Sequence, residues 1–299
     1  MRLGLVCLFR EEPIKFRQAT ATHLKKSPRA QQLSKLSELA LHNAKALLQA
    51  LQFCAQNGIG SFRVNSKILP LKTHPEVGYA LQDLPKAQEI IKRFKAAGKF
   101  AQDNNLRTLF HPDQFVVLSS PRPDVVEKSL AEIEYQAEVA NWINADVINI
   151  HAGGGYNDKT AALQRFAAAT ERLSPQARQL LTLENDDITY SPAELLPICH
   201  KLQIPLVYDV HHHRCLPDEL SCNEATSAAL KTWNREPLLH ISSPKNGWET
   251  GACRPHHDYI NLADFPQFWD NLPITVEVEA KAKELAVLQL KKELEARRK

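Results

Sequence analysis

Six residues of ligand type recur along this chain at comparable intervals: His111, His151, Glu184, Asp209, His240 and Glu279. Each lies in or ends a short apolar run, and the gaps between them are 40, 33, 25, 31 and 39 residues. His74, His212 and His256 stand in the segments just beyond such runs. The densest stretch is LVYDVHHHRC (206–215), where an aspartate precedes three consecutive histidines by two residues. Imidazole and carboxylate together suit zinc, manganese and related divalent ions. Carboxylates gathered without a cation would repel one another and shift toward protonation, a conflict that a polynuclear metal site resolves. One buried histidine is ordinarily a satisfied core residue, but six ligand-type residues at successive run ends argue for a shared site. Two chemistries fit such a site. Clustered ions can turn water into hydroxide and stabilise both oxygens of a phosphodiester displacement. A metal pair can instead polarise a sugar carbonyl and hydroxyl for isomerisation. The residue types serve both.

The elements that must position these residues are legible as alternating strand and helix. Apolar runs at 3–8, 61–66, 107–111, 147–152, 180–185, 205–210, 238–242 and 274–279 predict eight strands. Between them, residues 33–57, 86–102, 124–144, 159–172, 191–203, 222–234 and 280–298 read as helices. In the first of these, Leu36, Leu39, Ala40, Ala44, Leu47, Leu48 and Leu51 recur at three and four, and Gly58 stands at the stop. Ser191-Pro192-Ala193-Glu194 is a helix start with proline first and an acid in the first turn. Eight strand–helix units match a TIM (β/α)8 barrel, at ~31 residues per unit of a ~250-residue barrel. An open doubly wound sheet ordinarily has fewer strands and a glycine-rich first turn, absent here. The expected organisation is one domain over 1–299, with the metal cluster at the C-terminal face of the strands.

Composition agrees with a soluble globular chain, at 43% hydrophobic and 24% charged over 299 residues. The net charge of +3 permits a nucleic-acid partner without arguing for one. Six scattered cysteines with no CxxC pair predict reduced thiols in the cytoplasm. The N-terminal MRLGLVCLFREEP runs straight into charge with no cleavage site and reads as a first strand; no apolar run is long enough to span a membrane.

The motifs HPDQF (111–115), NIHAGG (149–154), LEND (183–186), YDVHHHR (208–214), HISSPK (240–245), RPHHDYI (254–260) and EAKAKE (279–284) resemble the signature segments of UV damage endonucleases, as does RVNSKILPLKTHP (63–75). The resemblance runs from about residue 3 to residue 285 and is specific because eight segments occur in order. It implies a TIM barrel with up to three divalent ions, related in layout to endonuclease IV and xylose isomerase. The usual ion is manganese, with zinc or magnesium as alternatives. It implies hydrolysis of the phosphodiester immediately 5′ of a UV photoproduct in double-stranded DNA, in some members also at abasic sites, by an intracellular monomer.

Carried over by position, the implied metal ligands are His74, His111, His151, Glu184, Asp209, His212, His240, His256 and Glu279, with Glu184, Asp209 and Glu279 catalytic and Glu184 bridging. His212 matches through its D-x-x-H spacing, leaving His211 and His213 as supporting or DNA-facing neighbours. The lesion-probing pair falls on Gln114 and Phe115, the latter replacing a tyrosine and keeping an apolar ring for stacking. Lys67, Arg214, Lys245 and Arg254 lie in loops on the same side, where they would meet phosphates. Trp248 is either a further stacking residue or a loop anchor. Leu238 departs from the family, which commonly has a carboxylated lysine two residues before the seventh-strand histidine. Two other functions stay open: a xylose-isomerase-like sugar isomerase or epimerase, and a non-catalytic damaged-DNA binding protein.

Overall fold

A computed structural model describes residues 1–297. Strands β1 (Arg2–Val6), β2 (Ser61–Val64), β3 (Arg107–Phe110), β4 (Ile148–His151), β5 (Leu181–Glu184), β6 (Leu206–Asp209), β7 (Leu238–Ile241) and β8 (Thr275–Val278) are all parallel and close in sequence order into one barrel. Closure is made by β8 against β1, with Arg2 opposite Thr275 and Gly4 opposite Glu277. All eight predicted strands are present, and the TIM barrel expected from their number is the fold observed.

The helices between them are α1 (Ala21–Leu24), α2 (Arg29–Asn57), α3 (Ala87–Asp103), α4 (Pro123–Ile143), α5 (Lys159–Thr170), α6 (Pro175–Leu180), α7 (Pro192–Leu202), α8 (Val210–Cys215), α9 (Cys222–Leu230) and α10 (Glu284–Arg297). Gly58 ends α2 at φ 64°, a left-handed position that suits glycine. Ser191 and Glu194 form the reciprocal capping box of α7. Three departures from the expected elements bear on the site. The helix expected at 280–298 starts only at Glu284, because the amides of Lys281 and Ala282 bond to the carbonyls of His257 and Asp258 instead of opening a helix; residue 298 lies outside the described residues. The helix expected at 222–234 ends at Leu230. The triple histidine, expected in a loop, forms α8, whose start Asp209 caps by accepting the amide of His212 at 2.8 Å.

Strand alternation divides the side chains between two cores. Outward residues such as Leu5, Phe62, Phe110, Ile150, Leu183, Tyr208, Leu239 and Val276 pack under the helices against Leu36, Leu47, Phe94 and Phe166. Inward residues form tiers along the barrel axis. Leu109, Val147, Val207 and Leu238 make a small apolar cluster of their own, with Trp233 against it. The polar side chains come next toward the C-terminal ends, two residues further along the same strands: His111, Asn149, Asp209 and His240. Gly4 allows close packing at the seam, since a Cβ there would lie 3.3 Å from both Glu277 Cγ and Ser61 Cβ. Among the described residues, no helix is long and apolar enough to cross a membrane, and none of the six cysteines is in a disulfide.

Candidate metal centre at the barrel mouth

Glu184 ends β5 almost wholly buried and stands at the middle of the mouth. Its Oε2 lies 3.0 Å from Nε2 of His111 and 3.8 Å from Nε2 of His151. Its Oε1 lies 3.1 Å from Nδ1 of His240 and 3.4 Å from Nδ1 of His212. Strand ends from β3, β4, β5 and β7 and the first turn of α8 thus converge on one carboxylate. Three overlapping groups of donors result: His111, His151 and Glu184; Glu184, Asp209 and His212; Asp209, His240 and Glu279. Within each group the donor atoms lie within 4.8 Å of one another. Glu184 belongs to the first two groups and Asp209 to the last two.

The imidazoles are oriented by partners behind them. Nδ1 of His111 lies 3.1 Å from the carbonyl of Pro112 and Nδ1 of His212 lies 2.9 Å from that of Asn185. An N–H on Nδ1 of His111 leaves its Nε2, which faces Glu184, free to donate a lone pair; in His212 it is Nδ1 itself that faces Glu184 and Asp209. His240 has Nε2 at 3.0 Å from Glu277 Oε2. Glu277 is held in turn by Arg63, whose Nε donates to it at 2.7 Å and whose Nη2 donates to Glu279 Oε1 at 2.6 Å. Asn149 donates to Glu184 Oε2 at 2.5 Å.

Electrostatics follow from this crowding. Burial alone would raise the Glu184 carboxyl, but His240 and His151 and the hydrogen bonds of His111 and His212 hold it well below the usual carboxylate range. Burial likewise opposes ionisation of Glu279 and Glu277, and the Arg63 guanidinium overrides it in both. His240 is pushed up to about 10 despite its burial, because carboxylates face both of its nitrogens. His212 is raised by Asp209 and Glu184, again against burial, whereas burial wins at His151 and lowers it.

The donor set fits divalent ions on two observations. Oδ2 of Asp209, a carboxylate shared by two of the donor groups, is buried and has no hydrogen-bond partner, a costly state for a polar atom unless something else meets it. Four imidazoles with three carboxylates are also the ligand types of zinc and manganese.

The remaining predicted residues fall into different places. His256 sits at the edge of the set, 3.9 Å from Glu279 Oε2. His74 belongs to none of the donor groups; its Nδ1 accepts the amides of Glu76 and Val77, and it lines a separate cavity of about 530 Å³. Gln114 lines the mouth cavity, about 410 Å³, and Phe115 lines the neighbouring one, so the pair forms the ridge between them. Phe115 is 77% exposed, far more than an apolar ring with a partner in its own chain. Lys245 and Arg254 are exposed, and Lys67 is exposed beside Asp113 at 3.4 Å. Arg214 does not face outward as expected: α8 turns its guanidinium onto the Trp248 ring and the carbonyl of Asp264. Trp248 also donates to Asp264, which makes it a loop anchor. Nor do the two neighbours of His212 face DNA. His211 is buried against Trp248 and His256, and His213 is buried between Tyr208 and Asp218.

Sequence reasoning missed Arg63, Asn149 and Glu277. Asn149 and Glu277 each stand two residues before a candidate ligand, on the same inward face, and that spacing was a usable signal. Leu238, at the position of the family lysine, lies fully buried in the apolar tier two residues below His240.

A sequence model described as UV-endonuclease UvdE matches residues 1–299. The UV DNA damage endonuclease of Bacillus velezensis is 35% identical over 314 residues, covering 99% of this chain and 94% of that protein. The crystal structure of SacUVDE superposes with a TM-score of 0.87 at 28% identity, covering 100% of this chain and 99% of that one. Endonuclease IV from Thermus thermophilus superposes with a TM-score of 0.63 at 13% identity over 99% of this chain and 98% of that one, a likeness of fold.

Proposed function

The chain belongs to the UV-endonuclease UvdE family, and on that premise we propose that this DNA repair enzyme hydrolyses the phosphodiester immediately 5′ of UV photoproducts, and at abasic sites, with up to three divalent ions, manganese foremost, held at the barrel mouth. The observation that carries the reading is the sharing of Glu184 and Asp209 among three donor groups, which gives neighbouring ions common ligands. His111 and His151 with Glu184 form one ligand set, Asp209 and His212 with Glu184 a second, and His240 and Glu279 with Asp209 a third, which His256 borders.

Bound ions would supply hydroxide at neutral pH and stabilise charge on both oxygens of an in-line displacement. The chain's own residues do the positioning. Glu184 and Glu279 are held ionised and already aimed, so neither has to give up a proton at neutral pH to serve as a ligand. The carbonyl of Pro112 fixes Nε2 as the nitrogen that His111 presents, and that of Asn185 holds the His212 ring in place. Glu277 holds the His240 ring, and Arg63 neutralises Glu277 beneath the mouth. Gln114 and Phe115 stand where the duplex meets the mouth; the ring supplies a stacking face and the amide hydrogen-bonding groups, which suits probing a distorted base pair. Lys67, Lys245 and Arg254 meet the backbone around it.

The test is incubation of the purified protein and manganese with a duplex carrying one defined pyrimidine dimer. Nicking 5′ of the dimer, lost on chelation and in Glu184→Gln, is expected. Tight binding of the damaged duplex without nicking would replace this reading by that of a damaged-DNA binding protein. Leu238, which cannot carry the family's carboxylated lysine, is the observation that favours that alternative.

A further inference from the structure

Beside the donor set, on the β1–β8 side of the barrel, lies a cavity of about 370 Å³ with two arginines and two lysines in its walls. Arg63, Arg254, His256, Lys281 and Lys283 line it, and Glu279 is the one carboxylate in the wall. That carboxylate is already engaged by Arg63 at 2.6 Å. Among the described residues neither Lys281 nor Lys283 has a carboxylate within ion-pair distance. Arg254 is exposed, and its nearest carboxylate is Asp187 at 3.8 Å. A lysine on a surface is ordinarily a solvated side chain. Here positive charges from two separate segments converge on one concavity, and the one carboxylate in its wall is already taken by Arg63.

The two segments are pinned to each other. The amides of Lys281 and Ala282 donate to the carbonyls of His257 and Asp258 at 3.1 and 2.9 Å. On the other side the amide of Lys245 donates to the carbonyl of Pro255 at 2.7 Å, and that of His257 to the carbonyl of Ser243 at 2.8 Å. These bonds take α10's first turn away from helix and set the lysine turn against the Arg254–His256 loop. The cavity is therefore built before any ligand arrives, which limits the ordering cost of binding.

We propose that this cavity is a phosphate subsite, in which Lys281, Lys283 and Arg254 hold a backbone phosphodiester of the strand being cut, one flanking the bond that is broken. The assignment rests on the endonuclease reading and adds a second anchor to it. Glu279 belongs both to the Asp209–His240–Glu279 donor group and to the wall of this cavity, so the two sites share a boundary. The Gln114–Phe115 ridge lies on the His111 side of the mouth cavity. A duplex laid over the mouth is then gripped by its bases on one side and by its backbone on the other. Phosphate contacts fix register without reading sequence.

The experiment measures affinity of the manganese-loaded full chain for a short fluorescent undamaged duplex at several salt concentrations. Each of Lys281→Gln and Lys283→Gln is expected to reduce the slope of log affinity against log salt by about 0.9. The affinity lost on a fourfold rise in salt then shrinks by about 3.5-fold per lysine. Damaged and undamaged duplexes should weaken equally, manganese content should not change, and the arginine variants should restore the slope. Lys231→Gln, after α9 at the opposite end of the barrel, is the folded control and should leave it unchanged. A double variant that keeps the wild-type slope and affinity overturns the proposal. So does a lysine-dependent rise in melting temperature with inorganic phosphate but no change in the DNA slope, since the cavity would then serve free phosphate. Failure of the wild type to nick a damaged duplex would overturn the endonuclease reading separately, because the slope is read on uncut DNA.

Discussion

Nε2 of His240 lies 3.0 Å from Oε2 of Glu277, a carboxylate that no outer surface of the barrel reaches. The pair sets which nitrogen of His240 faces the donor set, leaving Nδ1 toward Glu184 and Glu279. A histidine that serves a metal is commonly oriented by such a carboxylate. Arg63 completes the arrangement by bridging Glu277 and Glu279.

Glu277→Gln is therefore expected to weaken manganese binding by about 10–100-fold, the usual cost of losing an outer partner of a ligand. Calorimetric titration of the metal-free protein measures this directly, and an unchanged dissociation constant would reject the role of Glu277. Arg63→Met leaves two buried carboxylates without their cation and should destabilise the fold by about 3–5 kcal/mol. The denaturation midpoint is the readout.

Glu184→Gln should be more severe for metal than any outer partner, because the carboxylate meets His111, His151, His212 and His240 and belongs to two donor groups. A loss of affinity well above about 100-fold is expected, with nicking falling in step. Elemental analysis after reconstitution distinguishes this from a defect in catalysis alone. Retention of wild-type metal content would place the ions elsewhere.

Metal affinity should rise with pH through the neutral and alkaline range. His240 is pushed up to about 10, so near neutrality it carries a proton that a metal ion must displace. With one proton released per ion bound there, affinity should gain up to about tenfold per pH unit below that value. The linkage to stability has the opposite sign. A histidine whose folded value exceeds its unfolded value of about 6.5 stabilises the metal-free protein fully below that point. The contribution is lost as pH rises through about 10. Melting of the chelated protein should fall between pH 7 and 10 while the metal-loaded form holds; parallel curves would exclude His240 as a ligand.

Phe115→Ala should cost about 1–3 kcal/mol in binding a dimer-containing duplex, the range for one base–aromatic stack, with metal content unchanged. Phe115→Tyr keeps the ring and should bind within about threefold of wild type. Equal losses on damaged and undamaged duplexes would make the ring a general contact and not a probe of the lesion.

Much of this architecture was legible before the structure because barrel strands declare themselves twice. Their outward residues form apolar runs for the helices, and their last inward residue reaches the mouth, so His111, Glu184, Asp209 and His240 stood out. What could not be read depends on closure of the barrel. The Arg63–Glu277 contact joins residues 214 apart, and nothing local in RVNS or VEVE announces it. The α8 helix was hidden because VHHHRC has no apolar period; its start depends on Asp209 acting as a cap. Arg214 was misplaced for the same reason, since a helical turn redirected its side chain onto Trp248. His74 looked like its neighbours in type, but the turn that follows engages its ring through the amides of Glu76 and Val77.

The third histidine of the triple supports the fold, and its variant should separate stability from chemistry. His213 lies with Nε2 2.9 Å from Asp218 Oδ1 and Nδ1 2.8 Å from the Tyr208 hydroxyl. Asp218 also accepts the amides of Leu220 and Ala193, tying α8 to the start of α7. Burial disfavours the charged ring, yet hydrogen bonds that the ring donates to Cys222 and Asp218 raise His213 above its ordinary value, and backbone amides hold Asp218 low against its own burial. The His213 contribution is therefore full below about 6.5 and fades as pH rises through the elevated folded value. The Asp218 contribution is full above about 3.9 and fades as pH falls through its depressed one. His213→Gln should destabilise by about 1–3 kcal/mol, from the buried partners left unpaired, and by less in alkaline than in mildly acidic solution. Manganese affinity should be unchanged, because the ring faces away from the donor set toward Tyr208. A variant that folds as stably as wild type but loses manganese would make His213 part of the metal centre and would reverse the division of the triple between His212 and its neighbours.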